Sequence, residues 1–283
     1  MIKFGAHAFV WNGEWTTEIG NQTIQKAAEA GFDLIEIPLL KPATFDAASH
    51  KRMLADVGIE AACSLALPRN AHMPEYPQAA HDFLVLALEK VSELGCTYLG
   101  GCTAYSLGAL TGRPPTDEEY QVIFQEMRAI AAEAQHRGIT LALEACNRYE
   151  THLFNTLEDT QAKINEIGVQ NLKLHADTYH MNIEEEGFYN PIVNTANILD
   201  YIHMSESHRG LVGTGTVNWD QVWQGLKDSN FSGSLVLESF AAINPDIAAA
   251  TCLWRPTPHS AATLAQEGLA FLKQGAAAHG LGS

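Results

Sequence analysis

Residues 118–146 read EEYQVIFQEMRAIAAEAQHRGITLALEAC and hold one complete unit of the fold. Apolar residues recur at helical spacing over 118–137, Gly138 stands where a helix closes in the left-handed conformation, and Ile-Thr-Leu-Ala-Leu then runs into Glu144. Such a short, near-continuous apolar run fits a strand covered on both faces. Working outward, similar runs occupy 2–7, 34–39, 61–67, 98–103, 140–146, 172–177, 201–206 and 234–240. Amphipathic helices are predicted between them, at 23–30, 79–94, 118–137, 157–167, 219–228 and 260–276, and Gly31, Gly58, Gly95 and Gly168 repeat the closing glycine. Eight strand–helix pairs in 283 residues come to roughly 35 residues each, the size of a βαβ crossover. The pattern predicts an α/β fold, a (β/α)8 TIM barrel built as a single domain over 1–283. A doubly wound open sheet would need G-x-G-x-x-G after its first strand, where this chain has only Gly5-Ala-His-Ala-Phe9; no G-x-x-x-x-G-K-[ST] occurs either.

Composition narrows the function. With 46% hydrophobic and 18% charged residues the chain can bury a large core, which excludes disorder. Seventeen Lys+Arg against 33 Asp+Glu give a net charge of -16, unfavourable to nucleic acid or an anionic membrane as partner. The five cysteines show no C-x-x-C spacing and read as reduced thiols of a cytoplasmic protein. The opening MIKFGAHAFVWNGEW lacks a basic start followed by an unbroken apolar stretch, and no apolar run reaches the ~18 residues of a spanning helix. A soluble, acidic enzyme acting on a small molecule is the expectation.

In a TIM barrel the chemistry sits where strands end. Glu144, Asp177, His203 and Glu238 each close an apolar run, and they lie 33, 26 and 35 residues apart, each close to one βα unit. Adjacent strands should therefore bring them to one level. Three carboxylates and an imidazole converging there repel one another unless a cation lies between them, so a divalent metal site is expected. Oxygen-rich ligation with one nitrogen suits Mn2+, Co2+ or Mg2+ better than thiolate-rich zinc sites do. His175 shares a strand face with Asp177, whereas Glu206 faces away from His203 unless the strand has ended. Asn147, Arg148, Glu150, His180 and Arg209 follow the strands as loop donors, and His208 reads as a surface residue. Phe9, Trp11, Trp15, Tyr105, Leu107, Phe240 and Trp254 are candidate pocket walls. Glu144 and Glu238, on opposed strands, suit removal of a proton beside a carbonyl from one face and its return from the other.

Four segments carry a resemblance: Leu-Ala-Leu-Glu144 through Asn147-Arg-Tyr-Glu150-Thr-His-Leu-Phe-Asn-Thr, His175-Ala-Asp177-Thr-Tyr-His180-Met-Asn, His203-Met-Ser-Glu-Ser-His-Arg209-Gly, and Leu-Glu238-Ser-Phe. The chain resembles the ketose 3-epimerases, the D-tagatose, D-psicose (allulose) and L-ribulose 3-epimerase group of xylose-isomerase-like TIM barrels. The resemblance implies Glu144, Asp177, His203 and Glu238 as ligands of Mn2+ or Co2+, with no organic cofactor. It implies that Glu144 and Glu238 exchange protons at C3 of a free ketose through a cis-enediolate. Glu150, His180 and Arg209 match the positions that hold O1 and O2, and the family suggests a homodimer or homotetramer. His7 stands where many members carry an aromatic or apolar residue, and 100–107 lacks a tryptophan often seen nearby, so the preferred ketose stays open. His7, Leu107 and Phe240 are further candidate substrate contacts. The rival readings are an aldose/ketose isomerase or inosose-type dehydratase using the same ligands, an endonuclease IV-like metal hydrolase, which the charge of -16 disfavours, and a non-catalytic sugar-binding barrel.

Overall fold

Eight parallel strands close on themselves in chain order in the computed structural model, which describes residues 2–281. Residues 1, 282 and 283, the extreme ends of the expected 1–283 domain, lie outside the described residues. The strands are β1 (Lys3–His7), β2 (Leu34–Pro38), β3 (Glu60–Ala66), β4 (Tyr98–Cys102), β5 (Thr140–Glu144), β6 (Leu172–Asp177), β7 (Leu199–Met204) and β8 (Ser234–Leu237). The ring shuts where β1 meets β8, with Lys3 opposite Ser234 and Ala6 opposite Leu237. Around it lie α1 (Thr17–Ala30), α2 (Ala47–Val57), α3 (Pro77–Leu94), α4 (Asp117–His136), α5 (Leu157–Ile167), α6 (Thr178–Glu184), α7 (Tyr189–Asn194), α8 (Trp219–Asp228), α9 (Pro245–Thr251) and α10 (Ala261–Ala278). No described helix is long and apolar enough to cross a membrane.

The punctuation works as its chemistry predicts. Gly31, Gly58, Gly95 and Gly168 are left-handed C-caps, and Gly138 follows the cap residue Arg137 with φ +69°. Helix α4 opens with a capping box in which Thr116 and Glu119 exchange side-chain and backbone hydrogen bonds. Helix α1 starts at Thr17 rather than 23, because the Thr16 hydroxyl accepts the Ile19 N–H and caps an earlier turn.

Three strands stop short of the predicted 146, 206 and 240, and β7 begins two residues early. Beyond the rim the backbone leaves the ladder for the loops: the Cys146 N–H donates to the Phe154 carbonyl and the Phe240 N–H to that of Arg209, both at 3.0 Å. Helices α6, α7 and α9 are short additions inside the predicted connections.

Alternation along each strand separates two cores. Ile35, Ile37, Cys63, Leu141, Leu143, Ile202 and Leu235 face outward into the apolar layer under the helices. Leu34, Ala62, Tyr201 and Val236 face the lumen and pack together with Tyr98, whose ring stacks on Tyr201 at 4.4 Å. One step further along the same strands come Glu36, His203 and Glu238, so the lumen turns from apolar at its floor to ionisable at its mouth.

Gly101 makes room near that mouth. Its φ is +89°, and a Cβ there would clash with the Leu65 carbonyl oxygen. Gly101→Ala should therefore cost about 1–3 kcal/mol, through left-handed strain and displacement of β3. Thermal unfolding followed by circular dichroism should show a clearly lower midpoint, and an unchanged midpoint would contradict this packing.

Candidate active site

The carboxyl rim gathers its polar groups from four consecutive strands. Glu144 ends β5, Asp177 ends β6, His203 lies one residue before the end of β7, and Glu238 directly follows β8, its N–H bonded to the Met204 carbonyl at 3.2 Å. All four are buried. His203 Nδ1 lies 3.7 Å from Glu144 Oε1 and 3.5 Å from Glu238 Oε1, so one imidazole nitrogen faces both glutamates. Three overlapping groups, Asp177 with His203 and Glu238, Glu144 with His175 and His203, and Glu144 with Asp177 and His180, hold ligand atoms close enough to share one metal ion. His203 Nδ1 is buried and has no hydrogen-bond partner, which in a polar pocket marks a nitrogen available for ligation. The donor set of three carboxylates and one free imidazole nitrogen fits a divalent cation.

The free nitrogen is set from below by Glu36, in the middle of β2. Its Oε2 accepts the Tyr201 hydroxyl and bonds His203 Nε2, both at 2.7 Å. With Nε2 committed to the carboxylate, Nδ1 is turned to the rim, where it can ligate once it gives up its proton. Burial pushes the Glu36 carboxyl upward, but His203, His7 and His175 together more than reverse it, so its pKa lies well below the usual carboxylate range. Burial presses His203 down, yet Glu36 and Glu238 raise it well above an ordinary histidine. Sequence reading missed Glu36. Its signal was the lone charge within Leu34-Ile-Glu36-Ile-Pro38, an otherwise apolar strand.

Arg209 spans the cluster. Its guanidinium donates to Asp177 Oδ2 at 2.6 Å and to Glu238, and stacks 3.8 Å above the Tyr179 ring. Asp177 also accepts the Tyr179 N–H at 2.8 Å, capping α6, and burial lifts its pKa to about 6 against the opposing pull of Arg209. Burial raises Glu150 to about 7, with Arg209 again opposing, and Asn147 Nδ2 donates to it at 2.9 Å. His180 accepts the Asn147 N–H at Nδ1, 3.1 Å away, and burial with Arg209 holds its pKa well below the usual value, so the ring is neutral.

The structure brings most of the expected residues to one cavity. His7, Leu107, Glu144, Glu150, His180, His203, Arg209, Glu238 and Phe240 line it, with Phe9, Cys102 and Cys146. Asp177 is fully buried and is joined to the lining residues through Arg209. His175 faces the lumen, but its Nδ1 accepts the Gly101 N–H at 3.2 Å, so it supports β4 from inside. Several loop residues go elsewhere. Arg148 is exposed and paired with Glu184 at 2.9 Å; His208 is exposed; Trp15 packs on His50; Trp11 packs on Phe32; Tyr105 is buried with its hydroxyl on the Glu144 carbonyl. Strand β7 ends at Met204, and Glu206 is fully buried away from the cavity, accepting from the N–H groups of Ser207, Gly213 and Val217 and from Trp219 Nε1.

A closed parallel barrel with an acid-rich cluster at its rim defines a class, and residues 24–275 match the family described as xylose isomerase-like TIM barrel. The chain is 37% identical to a ketose 3-epimerase of Arthrobacter globiformis, over 90% of each chain. It is 35% identical to an L-ribulose 3-epimerase of Methylomonas sp., over 96% of this chain and 97% of that one. A crystal structure of a D-allulose 3-epimerase from Methylomonas sp. in complex with D-allulose superposes with a TM-score of 0.93 at 34% identity, covering 96% of both chains. The chain belongs to the ketose 3-epimerases of the xylose isomerase-like TIM barrel family, and is thus a carbohydrate epimerase, an isomerase.

If His203 ligates a divalent cation, Glu36→Gln should weaken binding of that cation by about 10- to 100-fold, the range for loss of a carboxylate that orients a ligating histidine. Competition with a chelating dye reads this directly. Unchanged affinity would remove Glu36 from any role in setting His203.

Proposed function

We propose that the protein inverts C3 of free ketoses in a metal-dependent reaction, with Glu144, Asp177, His203 and Glu238 as the ligands of Mn2+ or Co2+. The observation that supports this reading is the approach of His203 Nδ1 to within 4 Å of both Glu144 and Glu238, a convergence of donors that one divalent cation would satisfy. When bound, the cation would polarise the ketose carbonyl and stabilise the negative charge of the cis-enediolate. Glu144 and Glu238 approach from β5 and β8, so one takes the C3 proton while the other returns a proton to the opposite face. Arg209 and neutral His180 hold O1 and O2, the first by charge and the second as a hydrogen-bonding ring, with Glu150 beside them. His7, Leu107 and Phe240 border the rest of the sugar. The uncharged substrate is favoured over a phosphate because the chain carries a net charge of -16.

The substrates fitting this reading are D-allulose/D-fructose, D-tagatose/D-sorbose and L-ribulose/L-xylulose. The Methylomonas relative crystallised with D-allulose supports the first pair. A cytoplasmic setting and a homodimer or homotetramer belong to the same proposal, and nucleic acid and membrane have no part in it.

Chelation should abolish interconversion of C3-epimeric ketoses and added Mn2+ or Co2+ should restore it. In deuterated water the label should enter at C3; label at C1 instead assigns an aldose/ketose isomerase. Glu238→Gln, with Mn2+ binding checked on the same sample, should lose roughly 100- to 10,000-fold in kcat, the usual range for a proton-transfer group. Full turnover in that variant would take Glu238 out of the proton path.

A further inference from the structure

Two thiols border the catalytic cavity and have no part in the chemistry above. Cys102 ends β4 and Cys146 lies two residues past β5, so neighbouring strands bring both beside Glu144. Their sulfurs are 3.7 Å apart. Both sulfurs and a carboxylate oxygen of Glu144 lie within 4.8 Å of one another. Metal–sulfur bonds of about 2.3 Å at a tetrahedral angle place two thiolates about 3.8 Å apart on one zinc ion, so the sulfurs already stand at ligating separation. Cys146, Glu150 and His180 form a second such group on the same side, offering a further oxygen or nitrogen.

We propose that Cys102, Cys146 and Glu144 form a second cation site, selective for thiophilic divalent ions such as Zn2+ and Cd2+, which excludes the catalytic cation because both require Glu144. Softness drives the choice: thiolates favour Zn2+ and Cd2+, whereas Mn2+ and Mg2+ gain little from sulfur and keep to the carboxylates. Each ligating thiol gives its proton to solvent, so the ion meets two thiolates and one carboxylate. The binding stands independently of the epimerase reading, while the loss of turnover rests on it. The other buried thiols, Cys63 and Cys96, belong to none of the ligand groups found among the described residues, and Cys96 donates to the Ala61 carbonyl at 3.0 Å.

The test is titration of the metal-free protein with Cd2+, followed by ultraviolet sulfur-to-cadmium charge-transfer absorption. Wild-type protein should develop the band, saturating at one ion per chain. The Cys102→Ser/Cys146→Ser double variant, shown folded by circular dichroism, should lose it, and each single serine variant should give a weaker band, which keeps the test decisive if the double variant does not fold. Glu144→Gln should shift the titration to higher Cd2+. In the Mn2+-loaded enzyme Cd2+ should stop turnover in a manner relieved by excess Mn2+. A full-strength band in the serine variants, which would then arise at the remaining thiols Cys63, Cys96 and Cys252, overturns the site. Inhibition that excess Mn2+ fails to relieve overturns the exclusion.

Discussion

The hydrogen bond between Glu36 and His203 lies one layer below the rim, and the geometry above depends on it. A carboxylate inside a barrel has no water to solvate it, so it must be paired. Glu36 takes the Tyr201 hydroxyl and the His203 ring, and both partners come from β7, at alternate positions of the lumen face. Tyr201 is in turn held by stacking on Tyr98 at the apolar floor. The orientation of the His203 ring is thereby tied through two residues to the packing of the lumen. His7, 3.6 Å from Glu36, extends the same polar layer to β1.

The other side of the rim is held by a loop. Arg209 adopts φ +60°, an uncommon conformation for a residue with a side chain, and the loop around it is organised by Glu206, which gathers four donors from residues 207–219. Glu206 thus works at a distance: a buried carboxylate outside the cavity shapes the segment that aims a guanidinium into it. Held against Tyr179 and bonded to Asp177 and Glu238, Arg209 fixes two carboxylates whose mutual repulsion would otherwise spread them.

The first five units of the fold were legible because their helices close on the same chemistry. Gly31, Gly58, Gly95 and Gly168 mark the helix ends, and the apolar runs mark strands buried on both faces. The four rim residues were legible for a related reason: an ionisable group at the end of an apolar run is conspicuous, and spacing near one βα unit places it at a common height. Strand limits at 146, 206 and 240 were not, since composition stays apolar where Cys146 and Phe240 have already turned their N–H groups to loop carbonyls. Glu36 escaped because its partner, His203, is 167 residues away, and no local pattern announces a contact made across a lumen. Arg148 and Trp15 had the right chemistry in the right loops, but Glu184 and His50 claim them.

The junction of β1 with β8 bears on how the molecule is made. Lys3 pairs with Ser234, so the first strand synthesised waits for the last before its edge is covered. Glu238, the final member of the rim cluster, arrives on that same last strand, whereas Glu144, Asp177 and His203 are translated earlier. Until β8 has emerged from the ribosome, β1 and β7 present open edges, and His203 Nδ1 lacks one of the two glutamates it faces in the finished barrel. Contacts of such long sequence separation form slowly, so the nascent chain passes a period with an exposed parallel edge and an incomplete acidic cluster, during which the excess of Asp and Glu over Lys and Arg is its own protection against association.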